Sequence, residues 1–142
     1  MKIKFKKLHP KAAAPKQGTP GSAGFDLTAT GRIWNETYAV WDYSTGIAVE
    51  IPPGFVGLIF PRSSVYKTGY ALSNCVGVID SDYRGEITAK FHPLFVGNDC
   101  PYNVGDRFCQ LVIMPAMDIE YEEAEALSDT TRGTGGYGST GL

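Results

Sequence analysis

The side chains best suited to chemistry fall in short runs separated by apolar segments. Asp80 and Tyr83 lie in GVIDSDYRGE (77–86), Arg62, Ser63 and Ser64 are consecutive, and Arg132, Ser139 and Thr140 are spread through a glycine-rich stretch, RGTGGYGST (132–140). An arginine with adjacent hydroxyls offers a fixed cation and hydrogen-bond donors, the set that grips phosphate oxygens. Glycines expose backbone N–H groups, and in 132–140 they surround the single aromatic Tyr137 with further donors to phosphate. Asp80 is a carboxylate placed to act on water beside such an anion. Each run also has a plainer reading: Arg62 could cap a surface loop, and the glycine-rich stretch could be a flexible solubilising tail.

Other residues are open to two readings. Asp26, in SAGFDLTA, points away from Phe25 and Leu27 on an extended run, which suits a water-mediated metal contact or a solvent-facing residue. Gln110 is polar inside the apolar run FCQLVI, and a buried amide needs a partner. Just before it, Asp106 and Arg107 read as an ion pair within a turn. The stretch 132–140 formally matches G-x-G-x-x-G, yet that fingerprint needs a following helix whose N-terminus meets the phosphate, and no helix-forming run follows before Leu142. His9 and His92 each precede proline, and neither is near a serine or cysteine at nucleophile spacing, which argues against a histidine-based triad. Trp34, Tyr38, Trp41 and Tyr43 read as sheet packing and the acidic run 120–125 as a solvated face.

The composition describes the scaffold that must hold these groups. A chain of 142 residues suits one domain with its own core. With a net charge of −2 and 20% charged residues, direct nucleic-acid binding is not expected, and any phosphate recognition is local. No apolar run approaches the roughly 20 residues of a membrane span. Cys75, Cys100 and Cys109 lack C-x-x-C spacing, so no zinc site or disulfide framework is expected and the simplest setting is cytoplasmic, with reduced thiols.

Glycine, at 17 residues, exceeds the usual share of about 7%, and helical periodicity is scarce. Short alternating or apolar runs predict strands over 3–8, 25–30, 38–43, 46–51, 55–60, 76–79, 86–91 and 108–114. Turn pairs such as Pro53-Gly54, Gly97-Asn98 and Gly105-Asp106 separate them, which gives an all-β, jelly-roll-like distorted barrel or sandwich. Lysines interleaved with Ile3, Phe5 and Leu8 make 3–8 an edge strand with a basic outer face. The runs 76–79 and 86–91 flank Ser81-Asp82-Tyr83-Arg84 and read as a hairpin with Asp80 at the mouth of its turn. A single domain over 1–142 is expected, with a β core over 1–127 and a mobile tail over 128–142, since 133–142 holds five glycines.

The order of the motifs is more specific than any one of them. AGFDL, PRSS, GVIDSDYRGE, GDRFCQLVI and RGTGGYGSTG run in sequence from Ala23 to Gly141 and, with TGIAVEIPPG at 45–54, resemble the five motifs of the trimeric dUTP pyrophosphatases, the dUTPases. The resemblance implies a homotrimer that hydrolyses dUTP to dUMP and pyrophosphate with magnesium, limiting uracil in DNA and supplying dUMP for thymidylate synthesis. It implies three active sites between subunits: one chain gives Asp26, Arg62, Ser63 and Gln110, a second gives 76–91, and the tail of a third closes over the ligand. By the same resemblance Asp80 orients and deprotonates the water that attacks the α-phosphorus. A carboxylate is a weak base, so geometry must contribute most of the effect. Asp26, with Gln110, holds the waters of Mg2+; Arg62, Ser63 and the backbone of Ser64 grip the phosphates; Arg132, Gly138, Ser139 and Thr140 close on the γ end. Asn74 and the backbone of Gly77 and Thr88, with Val78 and Ile79 beside them, present uracil with partners that cytosine leaves unpaired. Tyr83 lies against the deoxyribose and Tyr137 stacks on the base. Ser64 and Tyr137 depart from the glycine and phenylalanine common in the family.

The rival enzyme of the same fold is dCTP deaminase, whose motifs include a similar R-S-S run. That reaction needs a glutamate five residues after the glycine of the 76–91 segment, and counting from Gly85 reaches Lys90. A relative that also binds a regulatory protein, as some phage members do, is the second alternative. A purely structural module has no need of Asp80, Arg62 and Tyr83 together.

Overall fold

The structure, a computed structural model, describes residues 1–95, 100–137 and 139. Its strands are β1 (Lys4–Lys7), β2 (Lys16–Gln17), β3 (Phe25–Thr28), β4 (Gly31–Asn35), β5 (Val40–Ser44), β6 (Ile47–Glu50), β7 (Phe55–Pro61), β8 (Tyr70–Leu72), β9 (Gly77–Ile79), β10 (Thr88–Pro93) and β11 (Arg107–Pro115), with a 3-10 turn at Ser63–Lys67. All pairings are antiparallel. β1 and β6 form a ribbon, four strands run in the order β4-β5-β10-β8, and five in the order β2-β3-β11-β7-β9. The expected all-β architecture is what the chain adopts.

Alternation builds most of these strands, as in β10, where Ala89 and Phe91 are buried while Thr88 and Lys90 are exposed. β11 breaks the rule usefully. Its register against β3 shifts between Arg107 and Cys109, and this bulge turns the adjacent Phe108 and Cys109 both inward. The core centres on Tyr43, Phe91, Tyr102 and Phe108, whose ring centroids all lie 5.1 to 6.3 Å from one another. Four of the six pairs are edge-on, the arrangement that ring quadrupoles favour, and the other two are tilted. The Tyr43 hydroxyl donates to Tyr102 O at 3.0 Å and accepts from Tyr102 N–H at 3.1 Å, so the ring stays satisfied inside.

Several expectations need correction. The segment 76–91 is not a hairpin: β9 pairs with β7 and β10 pairs with β5 and β8, so the two runs belong to different sheets and an arch joins them. Tyr38 is not in a strand or packed on one. It sits 74% exposed in the turn before β5, where Ala39 takes a positive φ of 51°. Trp34 and Trp41 do pair across β4 and β5, with centroids 5.5 Å apart. β2, β4 and β8 lacked a readable pattern, being two or three residues long or, in β4, turning Ile33 outward at 71% exposure. Arg107 does not pair with Asp106, whose Oδ2 instead accepts the Asn103 N–H at 2.7 Å. The proposed turn at Gly97-Asn98 lies outside the described residues. Beyond Pro115 the described residues carry no strand, and all but Gly135 are exposed.

Burial shapes how this core responds to alkali. It holds the Cys109 thiol above its ordinary range, with the Asp26 charge adding to the effect. It does the same to Tyr43, which also hydrogen-bonds Cys100, and to Tyr102. A folded-state value above the unfolded one means that the unfolded chain loses its proton first, so stability is full below the unfolded values and falls as pH rises through them, about 8.5 for a thiol and about 10 for a phenol. Urea-unfolding midpoints at fixed protein concentration should therefore decline above that first value, and Cys109→Ala should flatten the decline below about pH 10. An unaltered slope in that variant would assign the alkaline loss elsewhere.

Candidate functional site

The arch between β9 and β10 forms one wall of a cavity of about 420 Å3. Its floor is β9, held on β7 with Gly77 opposite Ile59, and its far side is the turn after β8 together with β10. Asn74, Gly77, Val78, Ile79, Asp80, Tyr83 and Thr88, all nominated from the sequence, line this one space. The arch has its own geometry. Tyr83 N–H donates to Asp80 O at 3.2 Å, Arg84 Nη1 donates to Ser81 O and Tyr83 O at 2.6 and 2.9 Å, and the Tyr83 hydroxyl donates to Glu86 O at 3.1 Å. Asp80 and Tyr83 are thereby exposed yet held, as groups that meet a ligand must be.

A second depression, of about 170 Å3, is lined by Gly18, Ser22, Gly24, Asp26, Arg62, Ser63 and Gln110. Asp26 is the hub. Its Oδ1 accepts Arg62 Nε at 3.0 Å and its Oδ2 accepts Arg107 Nη1 at 2.9 Å, with the carboxylate only 12% exposed. The solvent-facing reading of Asp26 is thus wrong. Gln110 pairs with Asp26 in the β11–β3 register and donates Nε2 to Pro61 O at 3.1 Å, which answers the need of its buried amide. Its Oε1 occupies the space that a side chain on Gly24 would fill, so the glycine permits this close approach. One carboxylate between two guanidinium groups leaves a net positive charge, and among the described residues no partner holds the terminal amino groups of Arg62. Such a pair of guanidinium groups offers donors and charge that suit an anion. Ser64 follows in the 3-10 turn and does not line it.

The third group is apart from both. Arg132 and Ser139 line a shallow depression with Thr131 and Gly135, and Tyr137 is fully exposed. Gly138 and Thr140 lie outside the described residues. Among the described residues, none lines more than one of the three surfaces.

Sequence reasoning missed Arg107, whose partner Asp26 is 81 positions away, and passed over Glu86 and Lys90, which line the large cavity. Nothing local signals the first. Glu86 stands inside the motif GVIDSDYRGE, and Lys90 faces the same side of β10 as Thr88.

For magnesium the test is the donor set. Among the described residues no three His, Cys, Asp or Glu side chains gather to cage a metal. Each oxygen of Asp26 accepts one guanidinium bond and keeps a lone pair for a water. This fits an ion held chiefly by phosphate oxygens and waters, the usual manner of magnesium with nucleotides.

Comparison with known proteins gives the family. A model of the dUTPase family matches residues 10–141. The deoxyuridine 5'-triphosphate nucleotidohydrolase of Rhodococcus erythropolis is 41% identical, covering 99% of this chain and 87% of its own. That of Helicobacter pylori is 38% identical over 100% and 98%. In fold, a dUTPase variant from Staphylococcus bacteriophage 80alpha, solved with dUpNHpp, superposes with a TM-score of 0.82 at 22% identity over 99% of both chains. A phage phi11 dUTPase described with a structural Mg(II) ion superposes at 0.75 with 23% identity, over 89% of this chain and 98% of its own. With a family match over nearly the whole sequence and full-length relatives of this identity, the chain belongs to the dUTPase family.

Proposed function

We propose that this protein hydrolyses dUTP to dUMP and pyrophosphate, at sites that three copies of the chain build together. The observation that carries the assembly is the separation just described: a nucleoside cavity, a cationic depression and a glycine-rich segment with phosphate donors, sharing no lining residue. Residues meant to touch one small ligand stand on separate surfaces. Apposition of copies about a threefold axis brings unlike surfaces together, as a heterologous closed interface does.

In this reading the cavity under the arch takes the nucleoside. Asn74 and the β9 backbone at Gly77, Val78 and Ile79, with Thr88 opposite, pair with the uracil edge, and a cytosine amino group would leave acceptors and donors mismatched. Tyr83 lies against the deoxyribose and leaves no room for a 2′-hydroxyl. Arg62, Ser63 and Ser64 of a second chain hold the phosphates, with Asp26 and Gln110 reaching the waters of Mg2+. When bound, magnesium offsets charge on the triphosphate. Arg132, Gly138, Ser139 and Thr140 of a third chain close on the γ end while Tyr137 covers the base. Residues 1–127 thus act as the body and 128–142 as the closing segment.

Asp80 takes the proton of the water as its oxygen bonds to the α-phosphorus, and the bond from that phosphorus to the bridging oxygen breaks to release pyrophosphate. The grip of Arg62 and Ser63 on the phosphates would hold the α-phosphorus in line with the water, so a weak base suffices.

Purified protein incubated with magnesium and dUTP, dCTP, dTTP or UTP should release pyrophosphate from dUTP above all others, and ammonia from none. Ammonia from dCTP would establish the deaminase reading instead. Asp80→Asn should lower dUTP turnover about 100- to 10,000-fold, the usual worth of a general base, while calorimetry still detects dUTP binding. Unchanged turnover would remove Asp80 from the mechanism.

A further inference from the structure

The arch that carries Asp80 and Tyr83 has no ladder between its ends, because β9 and β10 sit in different sheets. Its second foot is pinned to the turn between β5 and β6. Thr45, 1% exposed, donates to Ile87 O through its N–H at 3.3 Å and its hydroxyl at 2.6 Å, and Ile87 N–H donates to Ile47 O at 2.9 Å. Next to this clamp, Glu86 Oε1 accepts the Gly46 N–H at 2.7 Å.

That turn is a firm anchor. Gly46 has φ +65°, and a side chain there would lie 2.8 Å from His9 Cβ and 3.1 Å from Ala12 Cβ, so only glycine fits. Its carbonyl accepts Leu8 N–H at 2.7 Å. Glu86 therefore faces two ways. Its side chain grips the anchored turn, and its main-chain oxygen receives the Tyr83 hydroxyl at 3.1 Å. Among the described residues the other hydrogen bonds of Tyr83 and Arg84 stay within the arch, while the Arg84 charge also acts on Glu50 of β6.

We propose that Glu86 is a positioning residue for sugar discrimination. Its carboxylate, fixed on the Gly46 N–H, holds the carbonyl that orients the Tyr83 hydroxyl, and through it the distance at which the Tyr83 ring meets the sugar. Although Glu86 lines the cavity, it acts through Tyr83 and not on the reacting atoms. The inference rests on the reading that Tyr83 faces the deoxyribose. Asp80, at the opposite foot, meets Tyr83 through its main-chain oxygen and not through its carboxylate, so selection of the sugar and the chemical step are separable.

The test measures kcat and KM for dUTP and for UTP with the full chain and with Glu86→Ala, Glu86→Asp, Glu86→Gln, Tyr83→Phe and the Glu86→Ala/Tyr83→Phe double variant. Loss of one partly buried, charge-assisted hydrogen bond should narrow the dUTP-to-UTP ratio of kcat/KM about tenfold in Glu86→Ala. The larger part should lie in KM, with kcat for dUTP changed only a few-fold. Glu86→Asp, one methylene too short to reach Gly46, should narrow the ratio as well and carries the test should the alanine variant not fold. Glu86→Gln keeps an acceptor oxygen and should retain the ratio. Once Tyr83→Phe has removed the hydroxyl, adding Glu86→Ala should change little, since groups in one chain of contacts are not additive. Discrimination undiminished in both the alanine and aspartate variants, or additive losses in the double variant, would overturn the role of Glu86 while leaving the functional reading intact. A wild-type protein that does not hydrolyse dUTP, or treats UTP equally, would overturn both.

Discussion

β11 pairs on both sides, with β3 and with β7, and its bulge between Arg107 and Cys109 determines what each neighbouring element can do. The extra residue sends Phe108 and Cys109 together into the core, where Phe108 completes the aromatic cluster with Tyr43, Phe91 and Tyr102. It also leaves Gln110 abreast of Asp26 on one side and Phe60 on the other, and lets Arg107 reach back to the Asp26 carboxylate. Arg62, at the end of β7, meets the other oxygen of Asp26. One strand irregularity thus couples core packing to the cationic depression, and a regular β11 would put Phe108 and Cys109 on opposite faces.

β7 carries the same influence one strand further. Its outer edge holds β9, the floor of the large cavity, so both depressions draw on the five-stranded sheet although no described residue lines both. The arch then leaves this sheet for the other, and its hold comes from side chains and from the Thr45–Ile47 turn. This is how exposed groups such as Asp80 and Tyr83 can be well placed without being buried.

Much of this was legible from residues alone. Strands with clean alternation or strong apolar runs were found, and seven sequence-nominated residues do share the large cavity, because they are near neighbours in sequence on a single segment and the turn before it. Ladder partners were not legible. Two apolar runs around a turn look alike whether they pair with each other or with different sheets, so 76–91 was read as a hairpin. Long-range ion pairs were hidden for the same reason: the adjacency of Asp106 and Arg107 suggested a partnership that the bulge prevents, and the true partner lies on another strand. Glu86 escaped notice since its importance lies in a backbone N–H of a distant turn, and side-chain type carries no trace of that.

The central claim is that Asp80 and Arg62 of one chain serve different sites. It is tested most directly by mixing two inactive variants, Asp80→Asn and Arg62→Ala, unfolding and refolding them together at equal concentration, and measuring dUTP hydrolysis. Shared sites require about a quarter of the mixed sites to combine an intact Asp80 with an intact Arg62 from different chains, so about a quarter of wild-type activity should return. If each site draws both residues from one chain, no mixture can restore activity, and a mixture as inactive as its components would contradict the account.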